Sequence, residues 1–289
     1  MSRILLATHG GHGADGAARV ASLLAQRLNA SLDVLAVLEP MPPMEMSPLD
    51  LGGMGLVARP EQYTILDEQL RAAVAGQLSR CQVGGAAPLF KTGPRAMEIA
   101  DTARASGAGL IVIGLGPHSV IDRALGGETA LQLVQMVHTP VLAVPVDASA
   151  LPRRVVVAVD FTPTSMRAAR AAAQCLASGD VLDLVHVAPE GLPSSASGPS
   201  ANVGTRLRDL ASHFVVPSGV EVVAVELRGD PARSLLAYLD SSAADMIALG
   251  SHGYGFWKRL ALGSVVSKVV RLAKTAVLVA PIGSISVPG

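Results

Sequence analysis

The residues best equipped for chemistry lie between Leu249 and Val270, in LGSHGYGFWKRLALGSVVSKVV. Gly250 and Gly253 are separated from Gly263-Ser264 by a further nine residues. Upstream, Met246 to Leu249 form a short apolar run suited to a strand buried on both faces. Downstream, Val265, Val266, Val269, Val270 and Leu272 recur at helical spacing, leaving Lys268, Arg271 and Lys274 to face water. Glycines between these runs permit positive φ or a close neighbour, and Ser264 stands at an N-cap or first-turn position. A strand, a glycine loop and a helix start bring free N–H groups and the helix dipole to one spot. The chemistry this suggests is anion binding. Lys258 and Arg259 lie nearby in sequence to supply countercharge. The pattern is not a Walker loop, because no Gly-x4-Gly-Lys-Ser/Thr occurs. Nor is it a dinucleotide fingerprint, because the glycines follow a fourth strand rather than a first.

The elements that must position these residues are written twice along the chain. RILLATHG at Arg3 resembles RVVVAVDF at Arg154, and LDVLAVLEP from Leu32 resembles LDLVHVAPE from Leu182. KTGPRAMEIA from Lys91 matches LRGDPARSLL from Leu227, and the halves close with TPVLAVP and TAVLVAP. Each half alternates five strands with four helices, the pattern of an α/β domain with a parallel sheet covered on both faces. The boundary is expected near Asp147–Pro152, giving one domain over 1–147 and another over 152–289. After its second strand each half carries a long loop, Glu39 to Pro60 in the first and a Ser/Pro/Gly-rich stretch in the second. Thr162 is the expected N-cap and Pro163 the first residue of one helix, with Gly179 beyond its end. Asp230-Pro231 opens another helix in the same way.

Composition limits the possibilities. The chain has 289 residues, long for one domain and comfortable for two. Lys and Arg number 23, as do Asp and Glu, so no global basic field exists to attract nucleic acid. Half of the residues are apolar, yet the longest apolar runs are too short to span a bilayer. The first residues reach glycine before a signal-peptide core can form. Cys81 and Cys175 are too few for a disulfide framework and read as buried small residues. These features lead to the expectation of a cytoplasmic protein without nucleic-acid or membrane partners.

In an open parallel sheet, ligands bind beyond the strand carboxyl ends where the winding reverses. In the second half Asp160 is read as ending the first strand, Val187 ends the second, and the Gly250 loop follows the fourth. A carboxylate there suits ribose hydroxyls, backbone near Val187 suits an adenine edge, and the glycine loop suits phosphates. The Gly-x2-Gly-x9-Gly-Ser spacing resembles that of the universal stress protein family, in which it marks members that bind ATP. The resemblance covers both halves, as a tandem two-domain member with Rossmann-like five-stranded sheets. It implies that Asp160 and Val187 hold the nucleoside, while Gly250, Gly253, Gly263, Ser264 and Val265 hold the phosphates of ATP, with or without magnesium. It further implies that the two terminal strands pair the halves as a pseudo-dimer. A homodimer of whole chains is left open, and the signalling protein such a regulator would address is unknown.

The first half departs from this pattern. His9 replaces Asp160, Pro117 replaces the second glycine, and Glu128 stands where Ser264 stands. A carboxylate at that helix start would repel phosphate, so poor or no ATP binding is expected there. His9, His12, His118 and Glu128 are the residues a metal would have to use in that crevice. Isolated loop histidines are ordinarily solvated, and no i,i+4 pair supports a zinc site, so no metal is assigned. No motif positions a water for phosphoryl transfer, so at most slow ATP hydrolysis is expected, and no catalytic residue is named. The alternative is a scaffold of the same fold that acts by protein contact without nucleotide.

Overall fold

The computed structural model describes residues 1–39, 60–115, 129–188, 190, 203–251 and 263–282. In the first half the elements are β1 (Arg3–Thr8), α1 (Asp15–Leu28), β2 (Ser31–Leu38), α2 (Pro60–Arg80), β3 (Pro88–Thr92), α3 (Arg95–Ser106), β4 (Leu110–Gly114), α4 (129–136) and β5 (Val141–Val144). The second half repeats them as β6 (Arg154–Ala158), α5 (Pro163–Ala173), β7 (Val181–Ala188), α6 (Val203–His213), β8 (Glu221–Arg228), α7 (Pro231–Ser242), β9 (Met246–Gly250), α8 (Ser264–Leu272) and β10 (Ala276–Ala280).

All ten strands form one continuous sheet in the order β3-β2-β1-β4-β5-β10-β9-β6-β7-β8. Every neighbouring pair is parallel except β5 and β10, which run antiparallel with Leu142 opposite Leu278. These two positions are equivalents in the repeat, so the pseudo-twofold axis passes through them. The two five-stranded halves are therefore joined edge to edge, and the expected pairing of their last strands is the observed one. Val141–Val144 and Val277–Ala280 are buried, as strands in the middle of a covered sheet must be. Helices α1, α2, α5 and α6 cover one face, and α3, α4, α7 and α8 cover the other.

Side chains reinforce the repeat. Arg3 reaches Asp33 at 2.9 Å across β1 and β2, and Arg154 meets Asp183 with two hydrogen bonds, 2.8 and 3.2 Å, across β6 and β7. Asp183 is fully buried and also accepts a hydrogen bond from Tyr238 Oη. Other contacts cross between the halves. Arg27 donates to the Cys175 carbonyl at 2.6 Å, and Arg167 donates to the His138 carbonyl at 2.8 Å.

The helix starts fall where the sequence placed them. Thr162 Oγ1 accepts from Ser165 N, and Asp230 Oδ1 accepts from Arg233 N. The end of α5 differs from expectation. Helix α5 stops at Ala173, and tight i→i−3 bonds from Cys175 to Ala172 and from Leu176 to Ala173 turn the chain before Gly179. Gly179, at φ +87, instead serves the turn into β7 and donates to Gly219 O. Both cysteines are free and buried, and burial pushes both thiols up, Cys175 to about 12. Among the described residues no helix is long and apolar enough to cross a membrane.

Candidate functional site

The strand order places β6 between β9 and β7, so three carboxyl ends lie side by side in the second half. The chain moves from β6 through β7 to β8 on one side, then returns to β9 on the other. That reversal is the crevice in which open α/β sheets hold ligands. Asp160 stands two residues beyond β6, Val187 is the penultimate residue of β7, and Gly250 ends β9. Because β5 and β10 run antiparallel, the corresponding crevice of the first half opens at the opposite edge of the sheet.

Asp160 is partly buried, and its Oδ1 accepts from the Thr162 amide at 3.0 Å and the Thr162 hydroxyl at 2.5 Å. Its other carboxylate oxygen takes no hydrogen bond from the described residues, so an acceptor remains for a ligand hydroxyl. Gly250 has a packing reason to be glycine. A Cβ there would lie 2.6 Å from Ser165 N and 2.7 Å from Thr164 C at the start of α5. Gly114 is packed in the same manner against Ala14 in the first half.

Among the described residues nothing caps the start of α8. Gly263 is its N-cap at φ −56 and ψ 138, no side chain caps it, and its first turn has no acidic residue. The amides of Ser264, Val265 and Val266 have no intrahelical acceptor because they belong to the first turn. Ser264 is exposed and Val265 half-buried. Gly263 N donates to Ser251 O at 3.1 Å, and Ser251 N donates to Ala280 O at 2.9 Å. The strand exit and the helix start are thereby tied to each other and to β10. Gly253, together with Lys258 and Arg259, lies outside the described residues.

Three side chains that the sequence did not single out stand beside this crevice. Phe161 follows Asp160 with φ +61, a left-handed conformation that a bulky residue seldom takes. Its ring centroid is 5.5 Å from that of His186, and the Arg206 guanidinium lies 4.3 Å over it. His186 Nδ1–H donates to the Val159 carbonyl at 2.7 Å, which fixes the imidazole. The sequence signal was the repeat itself, which aligns Phe161 with Gly10.

The first-half crevice is built otherwise. Gly10 has φ +77, and a Cβ on it would sit 2.4 Å from the backbone of Ala73 and Val74, so α2 closes directly onto it. Thr8 Oγ1 donates to Gln77 Oε1 at 2.6 Å, and Arg80 spans the Gly10 carbonyl and the Asp15 carboxylate. Burial pushes Asp15 up, but its hydrogen bonds from Arg80, His12 and Gln77 outweigh this and hold the carboxyl below its usual range. His9 stands where Asp160 stands in the second half. Its ring edge meets water, yet the ring folds over Gly11, and desolvation followed by the charge of Arg95 lowers its pKa. His12 Nδ1 lies 3.3 Å from Asp15 Oδ2. Among the described residues no group of three or more His, Cys, Asp or Glu is gathered as a metal site. His118 and Glu128 lie outside those residues, as does Pro117.

The sequence profile described as "Universal stress protein family" matches residues 1–145 and again 152–281. The chain belongs to the universal stress protein family. Among its relatives are universal stress protein Rv2005c of Mycobacterium tuberculosis and universal stress protein Mb2028c of Mycobacterium bovis. Each is 28% identical over 199 residues, and the match spans 65% of this chain and 65% of the relative. A universal stress protein of Archaeoglobus fulgidus superposes with a TM-score of 0.69 at 20% identity, covering 98% of this chain and 97% of its own. A universal stress protein structure from Pseudomonas aeruginosa, described as putative, gives 0.61 at 14% identity over 97% of this chain and 93% of its own. At these identities the structural likenesses speak for the fold, which is that of a tandem universal stress protein with both halves in one sheet.

Proposed function

We propose that this universal stress protein binds ATP in its second half and acts as a nucleotide-dependent regulator of a stress response. The observation that carries the reading is the start of α8, acid-free in its first turn and uncapped among the described residues, at the sheet's reversal point that Asp160 also borders. Asp160 would accept from the ribose, and the backbone at Val187 would meet the adenine edge. Gly250, Gly263, Ser264 and Val265, with Gly253, would offer amides and room to the phosphates. Magnesium, when present, would offset phosphate charge. These residues bind and orient; none is assigned a proton transfer. In the first half His9 offers no carboxylate, and α2 is seated on Gly10. Each half, 1–147 and 152–289, is proposed as a domain, with ligand binding confined to the second.

Gly263→Asp tests the reading. Asp is at least as good an N-cap as Gly, and its Cβ would stand 3.3 Å from Ser251 O, a contact that a shift of a few tenths of an ångström relieves, so the helix should hold. A carboxylate at that point repels phosphate and also satisfies the amides that would bind it. ATP titration by calorimetry should show binding in the unaltered chain and none in the variant, with unchanged thermal stability. Equal ATP affinity in both would remove α8 from the site. Absence of ATP binding in the unaltered chain would favour the nucleotide-independent scaffold.

A further inference from the structure

We propose that Phe161 and Arg206 form a flat platform on which the base of the nucleotide stacks; this rests on the ATP reading above. The first sign is the backbone. Gly10 and Phe161 occupy equivalent left-handed positions, φ +77 and +61. The next residues, Gly11 at φ −74, ψ 158 and Thr162 at φ −79, ψ 157, also share one conformation. The first half thus builds this turn with a glycine, which adopts positive φ without steric cost. The second half builds it with a phenylalanine, which does not. The turn has no need of the ring, and its presence against backbone strain points to a role outside the turn.

The second sign is what the ring does. In the first half α2 fills the space beside Gly10, reaching within 2.4 Å of where a Cβ would be. In the second half the Phe161 ring packs against the core on the same face of the sheet, with the His186 ring 5.5 Å away. Arg206, from the first turns of α6, lies over the ring with its guanidinium at 4.3 Å. Arg206 is exposed, and it makes no ion pair or hydrogen bond with the described residues. An exposed, planar cation over an aromatic ring, paired with no carboxylate among the described residues, is a surface on which any nucleobase can stack.

The third sign is position. Phe161 directly follows Asp160, and His186 directly precedes Val187, so the stack adjoins both residues assigned to the nucleoside. The phosphate end, at β9 and α8, lies on the other side of β6. The platform therefore belongs to the base and not to the phosphates. It also separates the halves, since the first-half crevice has a glycine and a seated helix where the platform would be.

The test uses the whole chain and measures ATP binding in Phe161→Gly, Arg206→Ala and Arg206→Lys, with inorganic triphosphate as a competitor lacking a base. Phe161→Gly carries the residue that the first half uses at this turn, and Arg206 is exposed, so each variant should fold. Loss of stacking should weaken ATP by about tenfold in all three while leaving triphosphate competition unchanged. ATP affinity restored by Arg206→Lys, or triphosphate weakened in step with ATP, would make Arg206 a phosphate countercharge and overturn the platform. Unchanged ATP affinity in Phe161→Gly and Arg206→Ala, with Gly263→Asp still abolishing binding, would overturn the platform and leave the ATP site standing. An unaltered chain that binds no ATP would overturn the ATP reading and the platform together.

Discussion

Single residues in this chain have two kinds of reason for their identity, and the repeat separates them. Gly250 belongs to the ligand pattern, yet its hydrogen in place of Cβ is required by the start of α5, 2.6 to 2.7 Å away. Gly250→Ala should therefore destabilise the unliganded protein by about 1–3 kcal/mol through overpacking, measured by urea unfolding without nucleotide. The glycine pattern was legible in the sequence, but this packing role was not, because Thr164 and Ser165 lie far from Gly250 along the chain. His9 shows a different effect. Its folded-state pKa is lowered, so the unfolded chain binds more protons as pH falls below the ordinary value of 6.5. The corresponding stability is full above that pH and declines below it. His9→Asn should flatten the melting temperature against pH between about 5 and 7; an unchanged slope would mean that His9 is as free in the fold as in the unfolded chain.

Elements were legible where local chemistry decides them. The Thr162-Pro163 and Asp230-Pro231 pairs announce α5 and α7 because a side-chain oxygen before a proline caps a helix without any tertiary help. Asp230→Ala should lower the midpoint of thermal or denaturant unfolding, because the Arg233 amide loses its side-chain acceptor. The end of α5 was not legible. Gly179 resembled a helix terminator, but the chain had already turned at Gln174, where packing of Cys175 and Leu176 into the core dictates the path. The seating of α2 was equally hidden. Thr8, Asp15, Gln77 and Arg80 come together only after β1, α1 and α2 have packed, and no local spacing signals it. Likewise, Phe161 conceals a left-handed turn that Gly10 would have advertised, so only alignment of the two halves could reveal it.

At the scale of the molecule, the duplication predicts its own assembly. Two five-stranded sheets whose last strands are short and apolar find partners in each other, giving the antiparallel junction at Leu142 and Leu278. Alanine substitutions at these two positions should each cost about 2–5 kcal/mol. Their double-mutant cycle should show coupling of about 0.5 kcal/mol or more across the halves; strict additivity would argue against direct contact at the junction. The same antiparallel junction sends the two crevices to opposite edges of the sheet. Divergence then acts on each crevice alone, with a helix start uncapped among the described residues and the Asp160 carboxylate in one, and a lowered-pKa histidine and a helix seated on Gly10 in the other. The number of nucleotides bound per chain reports this asymmetry. Equilibrium binding of ATP to the whole protein should saturate at one per chain and vanish in Gly263→Asp. Two per chain would mean that the first half also binds ATP, and one that survives Gly263→Asp would mean that the start of α8 is not the phosphate site.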